Sequence, residues 1–156
     1  MERTSSAYSK IGAIFFVIWG VIHVIVGAIP VIAYFTGGPI AIFAQNEMAV
    51  SAEQIGPLLV HVGNILVEYR TDIFAFGVLS ILIAVTLVWK NKAPGFWINT
   101  IVLGIVDVAF VFAQMVPGYQ PLFPPVIGPA CYVLAVGFSA AGLLRSRPHP
   151  MGSLKR

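Results

Sequence analysis

Four long apolar stretches, separated by short charged or proline-rich breaks, leave this chain little choice but to fold as helices packed side by side. Where hydrocarbon replaces water, every backbone N–H and C=O must find a partner inside the protein, and a helix achieves that within one segment. The stretches run from about Ile11 to Phe35, Ile73 to Trp89, Phe96 to Val116 and Pro125 to Leu144. Each has about the 17 to 25 residues that span a hydrocarbon core of about 30 Å. Of the 156 residues, 58% are hydrophobic and 10% charged. Soluble domains average roughly 45–50% and 25%, so water is not the main solvent of this chain.

The fold class that follows is all-α: a four-helix transmembrane bundle, N-in and C-in, with an extra amphipathic or extended helical segment between spans one and two. Residues 1–145 form a single domain and 146–156 a cytoplasmic basic tail. The apolar run after Arg3 and Lys10 competes as a signal peptide, but it exceeds the usual ~7–15 residues and lacks an Ala-x-Ala-like site, so it reads as a span. Arg3 and Lys10, then Lys90 and Lys92, then Arg145, Arg147, Lys155 and Arg156 all fall on one side of a four-pass path. Basic loops stay in the cytoplasm, which places both termini there in an inner cell membrane. Glu47 and Glu53 fall on the outer side. A pI near 9.2 is thus a matter of topology, and nucleic acid is not an expected partner. The partners expected are the bilayer, an apolar small molecule, and a second copy or another membrane protein.

The outer segment is too long for a turn. Pro57 suits a first helical position, and a span two that starts there has about 33 residues, or ~50 Å at 1.5 Å per residue. It must project outward or bend near Tyr69 to Asp72.

Two ionisable residues sit at mid-span, His23 and Asp107. An ionisable group in hydrocarbon costs about 2.5–3.5 kcal/mol on insertion scales, so it faces the bundle interior or a cavity. At 1.5 Å per residue, His23 lies ~20 Å from Lys10, Asp107 ~16 Å from Phe96 and Tyr132 ~20 Å from Arg145, so all three can meet in one layer. A carboxylate beside an imidazole can relay or abstract a proton, with Tyr132 donating to developing negative charge. The competing reading makes His23 and Asp107 interhelical glue, bonded to carbonyls freed by Pro30 or Pro129. Thr100, Asp107 and Gln114 repeat every seven residues, giving span three one polar face. Gly20, His23 and Gly27 share a face with Trp19, and small residues there permit close helix approach.

A second polar stripe, His61, Asn64, Glu68 and Asp72, recurs every three or four residues on span two beside Tyr69 and Arg70. It reads either as a solvated face with an Arg70 salt bridge or as the mouth of a cavity, with His61 and Glu68 at the entrance. Its spacing fits no compact zinc signature, His23 and His61 differ too much in depth for one haem, and no phosphate-binding loop or nucleophile elbow appears. No metal or cofactor is expected. Cys131, the single cysteine, reads as a small buried hydrophobe.

In size, span number, basic pI and the residues His61, Asn64, Glu68, Tyr69 and Arg70, the chain resembles the membrane-associated eicosanoid and glutathione metabolism family. It departs from that family's pattern in having no Arg ahead of His61 before Arg3 and a wider His to Asn to Glu spacing, which removes the main anion ligands a glutathione site implies. In size and topology it also resembles small bacterial four-span proteins of the DoxX-like type. No residue role carries over from either.

The function these residues point to is binding of an apolar, lipid-soluble molecule in a polar intramembrane cavity. Its sharper form adds acid–base conversion of the isomerase, cyclase or hydrolase type. The proton-transfer residues would be His23, Asp107 and Tyr132, and the substrate-binding residues His61, Asn64, Glu68, Arg70, Asp72, Gln114 and Trp19. The alternative class is a non-catalytic accessory or assembly subunit that docks its glycine-rich faces on a larger complex. Ion conduction ranks third, because below Asp107 the path offers only Ser80, Thr86, Asn99, Thr100 and Ser139.

Overall fold

The computed structural model describes residues 6–45, 52–120 and 122–146. Arg3, Glu47, the side chain of Glu53 and the tail carrying Arg147, Lys155 and Arg156 lie outside them. The described residues are all helix and connection, with no strand among them. Four helices are long and apolar enough to cross a membrane: α1 (Ala7–Gln45), α2 (Gly56–Val88), α3 (Ala93–Met115) and α4 (Ile127–Arg145).

α1 continues past the anticipated stop at Thr36. Its path breaks at Gly38, where φ is 73°, a left-handed value that glycine adopts without a Cβ penalty. Pro39, with no N–H to give to the preceding turn, follows the break and packs its ring against Gly63 of α2. α2 has 33 residues, the longer of the two lengths considered, and runs as one α-helix through Leu59–Ile83. It does not bend at Tyr69 to Asp72. α3 is irregular, with widened π-type turns at Ile98–Leu103 and Val111–Met115 on either side of the α-helical Ile105–Phe110.

Small residues set the spacing between helices. On α1, Gly20 faces Gly77 of α2 so closely that a Cβ on Gly20 would sit 2.7 Å from the Gly77 carbonyl oxygen. Close backbone approach of this kind brings many atoms of the two helices into dispersion contact. The large residues point the other way: Ile14, Ile18, Val21, Ile25, Ile29 and Ile32 form an exposed apolar stripe along α1. Inward, Ala13, Phe16 and Trp19 pack with Ile83, Ala84 and Val88 of α2, Leu103 of α3 and Ala135 of α4.

That core lies toward the end of the bundle where α1 begins and α4 ends. The same end carries Lys10, Lys90, Lys92 and Arg145. The Lys10 ammonium stands 5.7 Å from the Trp89 ring centroid, and the Arg145 guanidinium stands 4.2 Å from that of Tyr8. Asn91, in the α2–α3 connection, is buried with φ 55°, a conformation Asn tolerates better than most residues. Its amide donates to the Gly142 carbonyl at 3.3 Å and the Ser146 hydroxyl at 2.7 Å, tying that connection to the end of α4.

Candidate functional site

His23 and Asp107, placed at one depth by counting residues, meet in the structure. His23 Nε2 lies 3.5 Å from Asp107 Oδ1, and both residues are buried. Trp19, one turn before His23 on α1, holds both members. Its indole N–H donates to Asp107 Oδ2 at 2.5 Å. Its carbonyl lies 2.9 Å from His23 Nδ1, and its ring stacks on the imidazole with centroids 3.8 Å apart.

These contacts constrain where the hydrogens of the pair can sit. A carbonyl can only accept, so His23 Nδ1 must carry the hydrogen it shares with Trp19. Nε2 then faces Oδ1, and with no hydrogen on either atom two lone pairs would oppose each other. One proton, on Nε2 or on Oδ1, makes the contact attractive in both placements. At 3.5 Å the two groups are close enough to pass a proton between them, the placement a general acid or base requires.

Above the pair opens a cavity of about 430 Å³, within the ~300–1,000 Å³ range of small-molecule sites. Its wall is mostly apolar, built by Ile22 and Val26 of α1, Leu66 and Ile73 of α2, Val106 and Phe110 of α3, and Ile127 of α4. Polar groups reach it at His23, Tyr69, Arg70, Asp107, Gln114 and Gln120. Gly128 keeps the pair open to this space: a Cβ there would come within 3.8 Å of His23 Cε1 and 3.9 Å of Asp107 Oδ1. Gln120, Pro124 and Pro125 of the α3–α4 connection also line it.

The other anticipated site residues divide. Arg70 and Gln114 line the cavity. Trp19 does not; fully buried beneath the pair, it positions His23 and Asp107 and is out of reach of a ligand. Tyr132 is near the right depth but turned toward the closed core. Its hydroxyl donates to the Thr100 carbonyl at 2.5 Å, and its ring lies against Phe16 and Gly104. The widened turn of α3 at Ile98–Leu103 is the place where that phenol bonds.

His61, Asn64, Glu68 and Asp72 are exposed and absent from the cavity wall. The side of α2 that lines it is Leu66, Arg70 and Ile73. Arg70 is two residues from Glu68, roughly 200° round the helix at 100° per residue. Asn64 instead accepts a hydrogen bond from the Tyr34 hydroxyl at 2.5 Å, linking α1 to α2. Gly128, Gln120 and the loop prolines form part of the wall and carry no periodic signal by which sequence could single them out. Phe110, three residues beyond Asp107, shares its helix face.

Fold and cavity together define a class: a four-helix bundle, apolar on the outside, with an acid–base pair at the floor of a largely apolar cavity. No family model, curated protein or solved structure matches the chain.

Proposed function

We propose that this is a multi-pass protein of the inner cell membrane, with both termini cytoplasmic, that takes a lipid-soluble small molecule into the cavity and acts on it by acid–base chemistry. The observation that carries the reading is the buried His23–Asp107 pair, 3.5 Å apart, at the floor of a cavity with mostly apolar walls. Apolar walls favour an apolar ligand and exclude water. Low local polarity strengthens each charge–dipole contact at the floor. A proton on the pair can pass to a basic atom of the ligand and a proton can return to the pair from another, which is the traffic an isomerisation, cyclisation or hydrolysis needs. Orientation rests on Lys10, Lys90, Lys92 and Arg145, which share one end of the bundle, and on the rule that basic ends stay inside.

The test uses full-length protein in lipid nanodiscs, with co-purified small molecules identified by mass spectrometry. Asp107→Asn and His23→Gln keep size and hydrogen-bonding capacity while removing proton transfer. The expected result is that both variants stay folded and that conversion of the co-purified molecule falls by about 10²–10⁴-fold. A wild-type protein that carries no small molecule, or variants that convert it at the wild-type rate, would overturn the reading. Variants that unfold would assign the pair to helix glue.

A further inference from the structure

The cavity has a second polar level, made by two glutamines. Gln114 of α3 and Gln120 of the α3–α4 connection are half-buried and line it, and neither side chain makes a hydrogen bond among the described residues. Each carboxamide keeps two N–H donors and a carbonyl acceptor for a ligand or for water. Their backbones are tied together. The Gln114 carbonyl accepts from the Tyr119 N–H at 2.9 Å and the Gln120 N–H at 3.2 Å, and Gly118 turns the chain with φ 79°, a left-handed value suited to glycine. The connection thus folds back on the end of α3 and brings the two residues side by side. Gln114 lies seven residues past Asp107, roughly 10 Å along a helix at 1.5 Å per residue. Phe110, between them, belongs to the apolar wall with Val26, Leu66 and Ile73.

The wall groups that can carry charge at neutral pH are already engaged. His23 lies 3.5 Å from Asp107, Asp107 holds the Trp19 indole, and Arg70 has an interaction partner of its own. A charged head group would have to compete for one of these partnered groups or stay unpaired among apolar side chains, which is costly. A neutral one meets carboxamides that have no protein bond to give up.

Resting on the cavity reading above, we infer that the ligand is uncharged and carries two hydrogen-bonding groups, of the hydroxyl, carbonyl or amide kind, at opposite ends of an apolar body: one meets Gln114 and Gln120, the other His23 and Asp107. A carboxamide donates and accepts at once, so it serves a hydroxyl in both roles and a carbonyl in one. A wholly apolar ligand would strip water from the carboxamides without replacing its hydrogen bonds, which lowers affinity. Attachment at both ends also decides which end of the ligand is held against the pair.

The experiment measures binding of radiolabelled α,ω-octanediol, octanol and octanoate to the full chain in neutral-lipid nanodiscs, each corrected for uptake by empty nanodiscs. The extended diol is about as long as the gap between the two polar levels. Wild-type protein is expected to bind the diol at least tenfold tighter than octanol or octanoate, the order that one or two net hydrogen bonds contribute. The double variant Gln114→Met, Gln120→Met should bring the diol within threefold of octanol while octanol itself binds as before, and a thermal melt confirms the fold. If the double variant does not fold, the two single variants decide, and an unchanged diol-to-octanol ratio in both overturns the proposal. Equal binding of diol and octanol by wild-type protein, a diol preference that survives the double variant, or loss of diol and octanol alike in it would each overturn the two-ended assignment and leave the cavity reading standing. Octanoate bound as tightly as the diol overturns the uncharged assignment. Failure of all three probes to bind wild-type protein overturns the cavity reading as well.

Discussion

The two ends of this bundle use the same four helices for opposite purposes. Toward the termini, Phe16, Trp19, Ile83, Leu103 and Ala135 fill the interior. Beyond His23, the interior opens into the cavity of about 430 Å³. Both ends hold α1 against α2 through glycine, at Gly20 with Gly77 and at Gly27 with Arg70 and Phe74, so helix spacing alone does not create the opening. The difference lies in what α3 and α4 contribute. Tyr132 and Leu103 fill the closed end, while Gly128 of α4 and the proline-rich connection leave the other end hollow. A rigid floor beneath an open chamber gives the proton pair a fixed position and an approach from one side.

That contrast can be broken at its strongest point. Gly77→Val would set side-chain atoms against the Gly20 carbonyl oxygen, 2.6 Å from the added Cβ, and the Val24 nitrogen, 2.7 Å away. Neither is a flexible side chain that can move aside. Helix separation in the closed end should increase at a cost of about 3 kcal/mol or more, read as loss of a monodisperse peak or a sharply lower thermal midpoint. A wild-type melt for this variant would show that the two helices do not pack as closely as described.

A middling effect should come from filling the open end. Gly128→Leu places a branched side chain over His23 and Asp107, in space the structure leaves empty. The change in stability should stay within about 1 kcal/mol, because filling a cavity adds contacts where there were none. Retention of a co-purified small molecule should fall at least tenfold. Normal retention would move the ligand out of this cavity.

The smallest effect is expected outside both regions. Glu68→Gln and His61→Gln alter exposed side chains that do not reach the cavity, and each should change stability by no more than about 0.5 kcal/mol and leave ligand retention unchanged. A tenfold loss of retention in either would return the polar stripe of α2 to the site.

These differences also show what the sequence could express. Hydropathy identified four helices long and apolar enough to cross a membrane because length and apolarity are one-dimensional properties. Depth counting brought His23 to Asp107 because rise per residue is nearly constant. Direction around a helix is less secure. Tyr132 has the right depth, yet its hydroxyl finds the Thr100 carbonyl and turns the ring into the core. On α2 the most polar stripe, His61 to Asp72, looked like a lining. In a helix of 33 residues, longer than a bilayer core is thick, polar residues toward one end need no interior to hide in. The seven-residue repeat of Thr100, Asp107 and Gln114 assumes regular α-helix. The widened turns of α3 alter that phase, so that Asp107 and Gln114 reach the cavity while Thr100 buries its hydroxyl without a hydrogen bond.

Trp19 has a mechanical consequence. It lies on α1 with His23, but its indole nitrogen reaches Asp107 on α3. If one helix slid past the other by a single residue, the displacement would be about 1.5 Å, and both the 2.5 Å indole bond and the 3.5 Å contact between imidazole and carboxylate would lengthen together. The proton pair is thus a gauge of shear between two helices.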